Sequence, residues 1–224
     1  MITDGEGVAE LGELADGRFF VDLLRDGEGL LVGAEIDASS GEAELVLDGK
    51  ASLELLVVSH GLPRPGATGL FLDQAGEISV TRRRADSSGL LTWNRLTPGA
   101  YRVRVTAPDH WTEEIEARAG EGRSPTPVAL RRLGDLRIRL ISEEGVPLAG
   151  VALELTDRTT GASVADWLER GLVEGGSERT DAAGELFLSR LPEGEYRVRV
   201  AGPGGVELGV VEVVGGGESV VELR

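Results

Sequence analysis

Residues 86–105 read DSSGLLTWNRLTPGAYRVRV, and residues 181–200 read DAAGELFLSRLPEGEYRVRV. The two stretches match at a constant offset of 95 residues, through Asp86/Asp181, Gly89/Gly184, Leu96/Leu191, Gly99/Gly194 and Tyr101/Tyr196. Self-similarity at a fixed offset is typical of chains built from tandem structural units. We therefore expect each stretch to belong to one copy of a repeated fold.

A third copy begins the chain, where residues 4–23 read DGEGVAELGELADGRFFVDL. Its matching residues lie 82 positions before those of the middle copy: Asp4, Gly7, Leu14, Gly17 and Phe19. Because residue 1 falls inside this copy, the chain holds only the second half of it. We predict three segments: an incomplete sandwich repeat at 1–49, a repeat at 50–134 and a repeat at 135–224.

The last copy is longer than the middle one. Residues 61–63 match residues 145–147 at an offset of 84, so eleven residues are inserted between 157 and 178. Ser163 is a plausible N-cap inside the insertion, and three apolar residues after it share one helical face: Val164, Trp167 and Leu168. The sequence predicts one short helix near 162–171.

Elsewhere the apolar pattern has a period of two. Val103 and Val105 alternate with Arg102 and Arg104, which is typical of a strand with one face in the core and one in water. The chain has 33 glycines, and such frequent turn formers favour many short elements. About seven strands per copy predict an all-β fold of tandem antiparallel β-sandwich repeats, transthyretin-like or immunoglobulin-like.

Composition excludes several classes of function. The chain has 23 basic and 39 acidic residues, a net charge of −16, which disfavours nucleic-acid binding and adsorption to an anionic membrane. It has no cysteine, so it has no disulfides and no thiol chemistry. No apolar run approaches 18 residues, so we expect no membrane insertion.

We expect no catalytic, cofactor-binding or metal-binding residues, and hence no enzyme. His60 and His110 lie in different predicted loops, and Ser59 beside His60 is not oriented toward the ring by adjacency alone. Both histidines are expected to be solvated. Asp86 and Asp181 stand alone in their turns, whereas calcium needs six or more oxygen ligands.

The motif G-x-P-x-x-G … D-x-x-G … L-x-x-G-x-Y-x-V-x-V resembles that of carboxypeptidase regulatory-like domains, whose fold is a transthyretin-like sandwich. Its carriers in the last copy are Gly145, Pro147, Gly150, Asp181, Gly184, Leu191, Gly194, Tyr196, Val198 and Val200. In the middle copy they are Gly61, Pro63, Gly66, Asp86, Gly89, Leu96, Gly99, Tyr101 and Val103. The resemblance implies a non-catalytic module, common in tandem on bacterial surface and secreted proteins.

The pattern is also similar to Cna-B-type pilin modules, which often carry a Lys–Asn isopeptide crosslink. The last copy has no lysine, so it cannot form one. Lys50, the one lysine of the chain, has no asparagine in the closing strand of the middle copy. We therefore expect no isopeptide crosslink.

The half-repeat needs a partner. Phe19, Val21 and Leu23 lie on a strand whose other half-sandwich is missing, and exposed apolar strand edges favour pairing. Either the same chain continues, or a neighbouring molecule donates strands. We predict a structural protein, a subunit or segment of an extracellular, cell-surface bacterial fibre or stalk that self-associates.

The alternative is an adhesin, or a carbohydrate- or protein-binding accessory module of a larger secreted protein. Its ligand contacts would lie at Trp111 or Trp167. Both residues also have a purely structural interpretation. Trp111 could pack on the sandwich edge, and Trp167 could cover an open end of the last sandwich.

Overall fold

A computed structural model describes residues 17–25, 28–37, 39, 51–72, 78–96, 98–120, 124–175 and 178–224. Its first ten strands are β1 (Arg18–Arg25), β2 (Glu28–Asp37), β3 (Ala51–Ser59), β4 (Leu62–Pro63), β5 (Thr68–Leu72), β6 (Ile78–Arg84), β7 (Leu90–Leu96), β8 (Gly99–Thr106), β9 (Glu113–Ala119) and β10 (Thr126–Ala129). The remaining elements are β11 (Leu133–Leu140), β12 (Leu153–Asp157), α1 (Val164–Glu169), β13 (Glu174–Gly175), β14 (Glu185–Pro192), β15 (Gly194–Val200), β16 (Glu207–Val213) and β17 (Glu218–Leu223). The predicted all-β fold with one short helix is confirmed.

The chain divides into two compact units. Unit 1 comprises 1–57, 63–105 and 114–128, and unit 2 comprises 58–62, 106–113 and 129–224. In unit 2, one sheet has the order β13-β14-β11-β17 and the other has the order β12-β15-β16. The predicted domain boundaries remain predictions.

The middle copy repeats this topology. Strand β3 pairs with both β7 and β10, as β11 pairs with β14 and β17, and it also pairs with the short β4. The second sheet has the order β6-β5-β8-β9, in which β5, β8 and β9 correspond to β12, β15 and β16. The sequence repeat therefore corresponds to a repeat of strand order.

The last copy contains a parallel pairing. Strands β11 and β17 run in the same direction, with Asp135 opposite Glu218 and Leu140 opposite Leu223. The expectation of purely antiparallel sheets is wrong at this pair. The cause is the strand order. Strand β14 occupies one edge of β11, and the last strand, β17, pairs with the opposite edge.

Alternating burial builds the core of unit 2. Leu136 and Ile138 are fully buried on β11, while Arg137 and Arg139 between and after them face outward. Burying such side chains contributes about 1.5–3 kcal/mol each. Tyr196 is also fully buried, and its hydroxyl donates a hydrogen bond to the carbonyl of Pro192 at 2.5 Å. The hydroxyl is thereby satisfied inside an otherwise apolar core.

The Asp-x-x-Gly turns have the same geometry in both copies. The Oδ1 atom of Asp181 accepts hydrogen bonds from the backbone N–H groups of Ala183 (2.8 Å) and Glu185 (2.9 Å). Gly184 has φ +74°, a left-handed conformation that costs a non-glycine residue free energy. A Cβ atom at Gly184 would also lie 2.6 Å from the carbonyl oxygen of Leu140.

The insertion in the last copy replaces a strand by a helix. In the middle copy, β6 pairs with β5 and Thr68 lies opposite Arg84. The corresponding bridge, Ala152–Arg179, remains in the last copy, but α1 lies in the chain between its two residues. Ser163 caps α1 as predicted, with its hydroxyl accepting from the N–H of Ala165 at 3.2 Å.

The helix ends with a left-handed glycine. Gly171 has φ +66°, and its N–H donates to the carbonyl of Leu168 at 3.0 Å. The N–H of Leu172 donates to the carbonyl of Trp167 at 2.9 Å. These two bonds form a Schellman motif, which ends a helix by satisfying its last carbonyls.

Candidate functional site

Unit 2 gathers two short segments of the middle copy onto the last copy, 58–62 and 106–113. At their centre the rings of Trp111 and Trp167 lie 4.8 Å apart, centroid to centroid, with an interplanar angle of 46°. Trp167 meets Tyr196 edge-on at 6.5 Å. We call Trp111, Trp167 and Tyr196 the aromatic cluster.

The two candidate tryptophans are therefore brought together and turned inward. Trp167 is 7% exposed, and Trp111 is half-buried against the core of the last copy. A glycan-binding platform needs an exposed aromatic face, whereas each indole here packs on the other. Aromatic pairs of this kind contribute about 0.5–1.5 kcal/mol beyond the area they bury.

A buried ion pair lies beside the aromatic cluster. The guanidinium of Arg131 donates to Oδ2 of Asp157 at 2.5 Å, and its Nε lies 3.6 Å from Oε1 of Glu113. The Asp157 side chain is 1% exposed, and its Oδ1 accepts from the N–H groups of Thr159 (2.8 Å) and Thr160 (3.3 Å). Both oxygens of this carboxylate are thus hydrogen-bonded.

The two carboxylates respond differently to this environment. Burial by itself raises the pKa of the Asp157 carboxyl, but the hydrogen bonds from Arg131 and Thr159 outweigh it, and the pKa is lowered overall. Burial raises the pKa of the Glu113 carboxyl, and the opposing charge of Arg131 does not fully offset it. Burial and the Asp157 charge raise the pKa of the Tyr196 hydroxyl.

Arg131, Asp157 and Glu113 were missed at the sequence level, although one signal was present. Val151, Leu153 and Leu155 alternate inward, so the period of two places Asp157 in the core as well. A charged residue at an inward strand position requires a buried partner. Nothing in the pattern identified Arg131 as that partner, because it lies 26 residues away.

The histidines do not share the expected environment. His110 is 6% exposed, which contradicts the expectation of a solvated loop. Its Nδ1 lies 2.6 Å from the carbonyl of Pro108, and its Nε2 lies 2.9 Å from the hydroxyl of Ser59. The carbonyl can only accept, so Nδ1 carries a proton and donates to it.

This pairing places a serine hydroxyl beside an imidazole, but Ser59 is itself only 9% exposed. The contact ties the end of β3 to the loop after β8 within unit 2. His60 is exposed as expected, and its Nε2 lies 3.0 Å from a carboxylate oxygen of Glu193. The contacts of His110 and His60 thus hold neighbouring loops together.

The other candidate residues lie in unit 1. Phe19 and Val21 are half-buried on β1, opposite Ile36 and Ala34 of β2. Leu23 lies in the same strand, opposite Leu31. The structure does not place these three residues in the same unit as Trp111 and Trp167.

Among the described residues, no group of three or more histidines and carboxylates could hold a metal ion. No helix in the described ranges is long and apolar enough to cross a membrane. Lys50, the lysine considered for a crosslink, lies outside the described residues.

The sequence matches no protein-family model and no curated protein. The chain is similar to the structure of the Bacillus anthracis TIE protein, with 16% identity and a TM-score of 0.31, over 78% of this chain and 33% of that one. It is similar to GBS52, the minor pilin of Streptococcus agalactiae, with 14% identity and a TM-score of 0.37, over 76% of this chain and 94% of that one. It is also similar to BcpA, the major pilin subunit of Bacillus cereus, with 8% identity and a TM-score of 0.30, over 77% and 99%.

This chain thus spans a third of the TIE protein's chain. Two of the three structures are pilins. The resemblance to carboxypeptidase regulatory-like domains remains a prediction.

Proposed function

We propose that this chain is a structural protein, a subunit or segment of an extracellular bacterial fibre whose half-repeat is completed by strands of a neighbouring chain. The observation that carries the proposal is the hairpin β1–β2, which forms a two-stranded sheet by itself within the described residues. Its counterparts β8–β9 and β15–β16 lie in larger sheets, beside β5 and β12.

The hairpin packs against β6 and β7 through β2, but neither of its strands pairs with a third strand in the described residues, and an open strand edge pairs readily with another chain. The apolar face of this hairpin includes Val21 and Phe19, and Phe19 lies opposite the buried Ile36. A neighbour that supplied a strand of the β5 type would extend the hairpin as β5 extends β8. Strand addition of this kind contributes both backbone hydrogen bonds and buried apolar area.

The composition of unit 2 supports a structural role for this chain. The segments 58–62 and 106–113 of the middle copy pack into the same compact unit as the last copy. The aromatic cluster and the buried Arg131–Asp157 pair hold them there.

The decisive experiment supplies the missing half in cis. Residues 50–82, the part of the middle copy that precedes the position equivalent to residue 1, are fused before residue 1, and both proteins are imaged by negative-stain electron microscopy. We expect filaments from the 224-residue chain and single particles from the fusion, because the fused half fills the open site.

A second variant tests the same surface without added length. Phe19→Glu/Val21→Glu should abolish filaments, because it places charge on the apolar face of the hairpin, which the completed sandwich would bury. The control Val206→Glu/Val220→Glu changes two exposed valines of unit 2 and should leave filaments intact. Single particles from the unmodified chain at every concentration would overturn the proposal.

A further inference from the structure

Charge is unevenly distributed along this acidic chain. Residues 1–50 hold 13 acidic and 3 basic residues, and residues 134–224 hold 17 acidic and 9 basic residues. Residues 51–133 hold 9 acidic and 11 basic residues, so the middle copy is the one segment with a positive balance. The structure shows where part of that positive charge lies.

Four arginines share the outer face of one sheet in unit 1. On β8, the buried Val103 and Val105 point inward, so Arg102 and Arg104 point outward. On β6, the exposed Arg82 and Arg84 lie opposite the outward residues Leu70 and Thr68 of β5. We call Arg82, Arg84, Arg102 and Arg104 the arginine face.

This face is under-neutralised. Arg102 and Arg104 share one carboxylate, that of Glu114, at 3.4 Å and 2.7 Å. Within the described part of the chain, neither Arg82 nor Arg84 has a carboxylate at ion-pair distance. Strand β5 lies between β6 and β8, so the two pairs of arginines are about 10 Å apart.

The corresponding face of unit 2 carries Arg197 and Arg199 as well, but Arg197 is paired with Glu207 at 3.6 Å, and the face has an acidic end. Glu195 on β15 lies directly opposite Glu212 on β16, and both are exposed. Glu195 has Arg158 at 2.6 Å, whereas Glu212 has no ion-pair partner among the described residues. Like charges directly opposite each other on paired strands are destabilising, so a cation over this pair would relieve repulsion.

We infer that the arginine face of one chain binds the Glu195–Glu212 face of a second copy. The contact joins two different surfaces, so each chain keeps one free face of each kind, and such a heterologous contact builds open assemblies. The inference rests on the proposed function, because it names a contact by which fibre subunits recognise one another. Being electrostatic and exposed, the contact weakens with salt.

The test uses two neutralised variants of the full chain. The basic-face variant is Arg82→Gln/Arg84→Gln, and the acidic-face variant is Glu195→Gln/Glu212→Gln. A labelled variant at nanomolar concentration is titrated with an unlabelled one, and fluorescence anisotropy reports binding. In a like pair, both molecules are the same variant, so both lack the same intact face and no intact charge contact can form. In the mixed pair, the arginine face of the acidic-face variant can meet the intact Glu195–Glu212 face of the basic-face variant.

We expect the mixed pair to bind at least about tenfold more tightly than either like pair in 20 mM NaCl, with the difference lost in 500 mM NaCl. Overall charge predicts a different order. Losing two arginines takes the net charge from −16 to −18, and losing two glutamates takes it to −14. Repulsion alone would therefore make the acidic-face variant bind itself best.

Matched controls carry the same charge changes elsewhere. Arg139→Gln/Arg170→Gln and Glu143→Gln/Glu169→Gln alter exposed residues of unit 2 away from β15 and β16. Their mixed pair should bind no more tightly than their like pairs. Strand completion contributes equally to every pair, so it cannot create the expected difference.

Equal binding in all pairs would overturn this inference while leaving the fibre proposal standing. Filaments absent from the unmodified chain, with the tenfold preference retained, would overturn the fibre proposal alone. Heparin binding through Arg82 and Arg84 without any mixed-pair preference would assign the arginine face to an anionic polymer, and the inference would be wrong.

Discussion

The indole ring of Trp93 occupies the space that a side chain at Gly69 would fill. A Cβ atom added at Gly69 would lie 2.5 Å from Cη2 of Trp93, and the ring stacks on Phe71 at 4.8 Å. The equivalent pair in the last copy is Leu153 and Leu188, both buried. One copy thus fills the position with a glycine and a tryptophan, and the other fills it with two leucines.

This relationship predicts strong coupling between the two positions. Gly69→Leu should destabilise unit 1 by about 3 kcal/mol through overpacking, and Trp93→Leu by about 2–4 kcal/mol through a cavity. The double variant reproduces the pair of the last copy and should cost at least about 1 kcal/mol less than the sum. Urea unfolding of the four proteins measures the coupling, and strict additivity would contradict the equivalence of the two sites.

The turn glycines should differ sharply in their tolerance of alanine. Gly184→Ala combines a left-handed φ of +74° with a Cβ 2.6 Å from the Leu140 carbonyl, so we expect a loss of about 3 kcal/mol or more. Gly145 has φ +79° but no atom within 4 Å of its Cβ, so Gly145→Ala should cost only about 1–2 kcal/mol. Thermal denaturation of both variants gives the comparison. Similar losses would mean that the close backbone approach is irrelevant.

Glu113 and Asp157 should give stability opposite dependences on pH. The pKa of Glu113 is raised in the folded state, so its contribution falls as the pH rises from the unfolded value to the folded one. Glu113→Gln should therefore raise the free energy of unfolding at pH 7, by at most about 1 kcal/mol, relative to its effect at pH 3.5. Urea titrations at the two pH values measure this difference.

Asp157 provides the contrast. Its pKa is lowered in the folded state, so its contribution is present above the unfolded value near 3.8 and is lost as the pH falls through the folded value. Asp157→Asn should cost about 3 kcal/mol at pH 7, because Arg131 loses its closest anion. Most of that cost should vanish in strong acid. A constant cost from pH 7 to pH 2 would contradict the assignment.

The aromatic cluster should behave as one packing unit. Trp167→Ala should destabilise unit 2 by about 3–5 kcal/mol, since the side chain is 7% exposed. Trp111→Ala should cost less, because Trp111 is half-buried. The double variant should show a coupling of about 0.5–1.5 kcal/mol from the direct ring contact. A coupling of zero would mean that the rings stabilise unit 2 independently.

Local pattern in the sequence was enough to predict much of the fold. The alternation at Val103 and Val105 predicted a strand, and Ser163 predicted the start of α1, because such signals act over a few residues. The parallel pairing of β17 with β11 has no local signal, because it joins residues more than 80 positions apart. The antiparallel expectation was wrong there for that reason.

The site was less predictable than the strands. Trp111 and Trp167 were singled out one by one, but their contact depends on a loop and an inserted helix from different copies. Ser59 lies next to His60 in the sequence, but the histidine that it contacts in the structure is His110, 51 residues later. Contacts made by tertiary packing leave little trace in a single sequence, unlike the period of a strand.

The parallel pairing of β11 with β17 has a mechanical consequence. The first and last strands of the copy lie side by side and point the same way, from Asp135 and Glu218 to Leu140 and Leu223. Tension applied between the start of β11 and the end of β17 acts along the strand axis in opposite directions on the two strands. It therefore loads all the hydrogen bonds between them in shear at once, whereas a hairpin pulled at its ends would unzip one bond at a time.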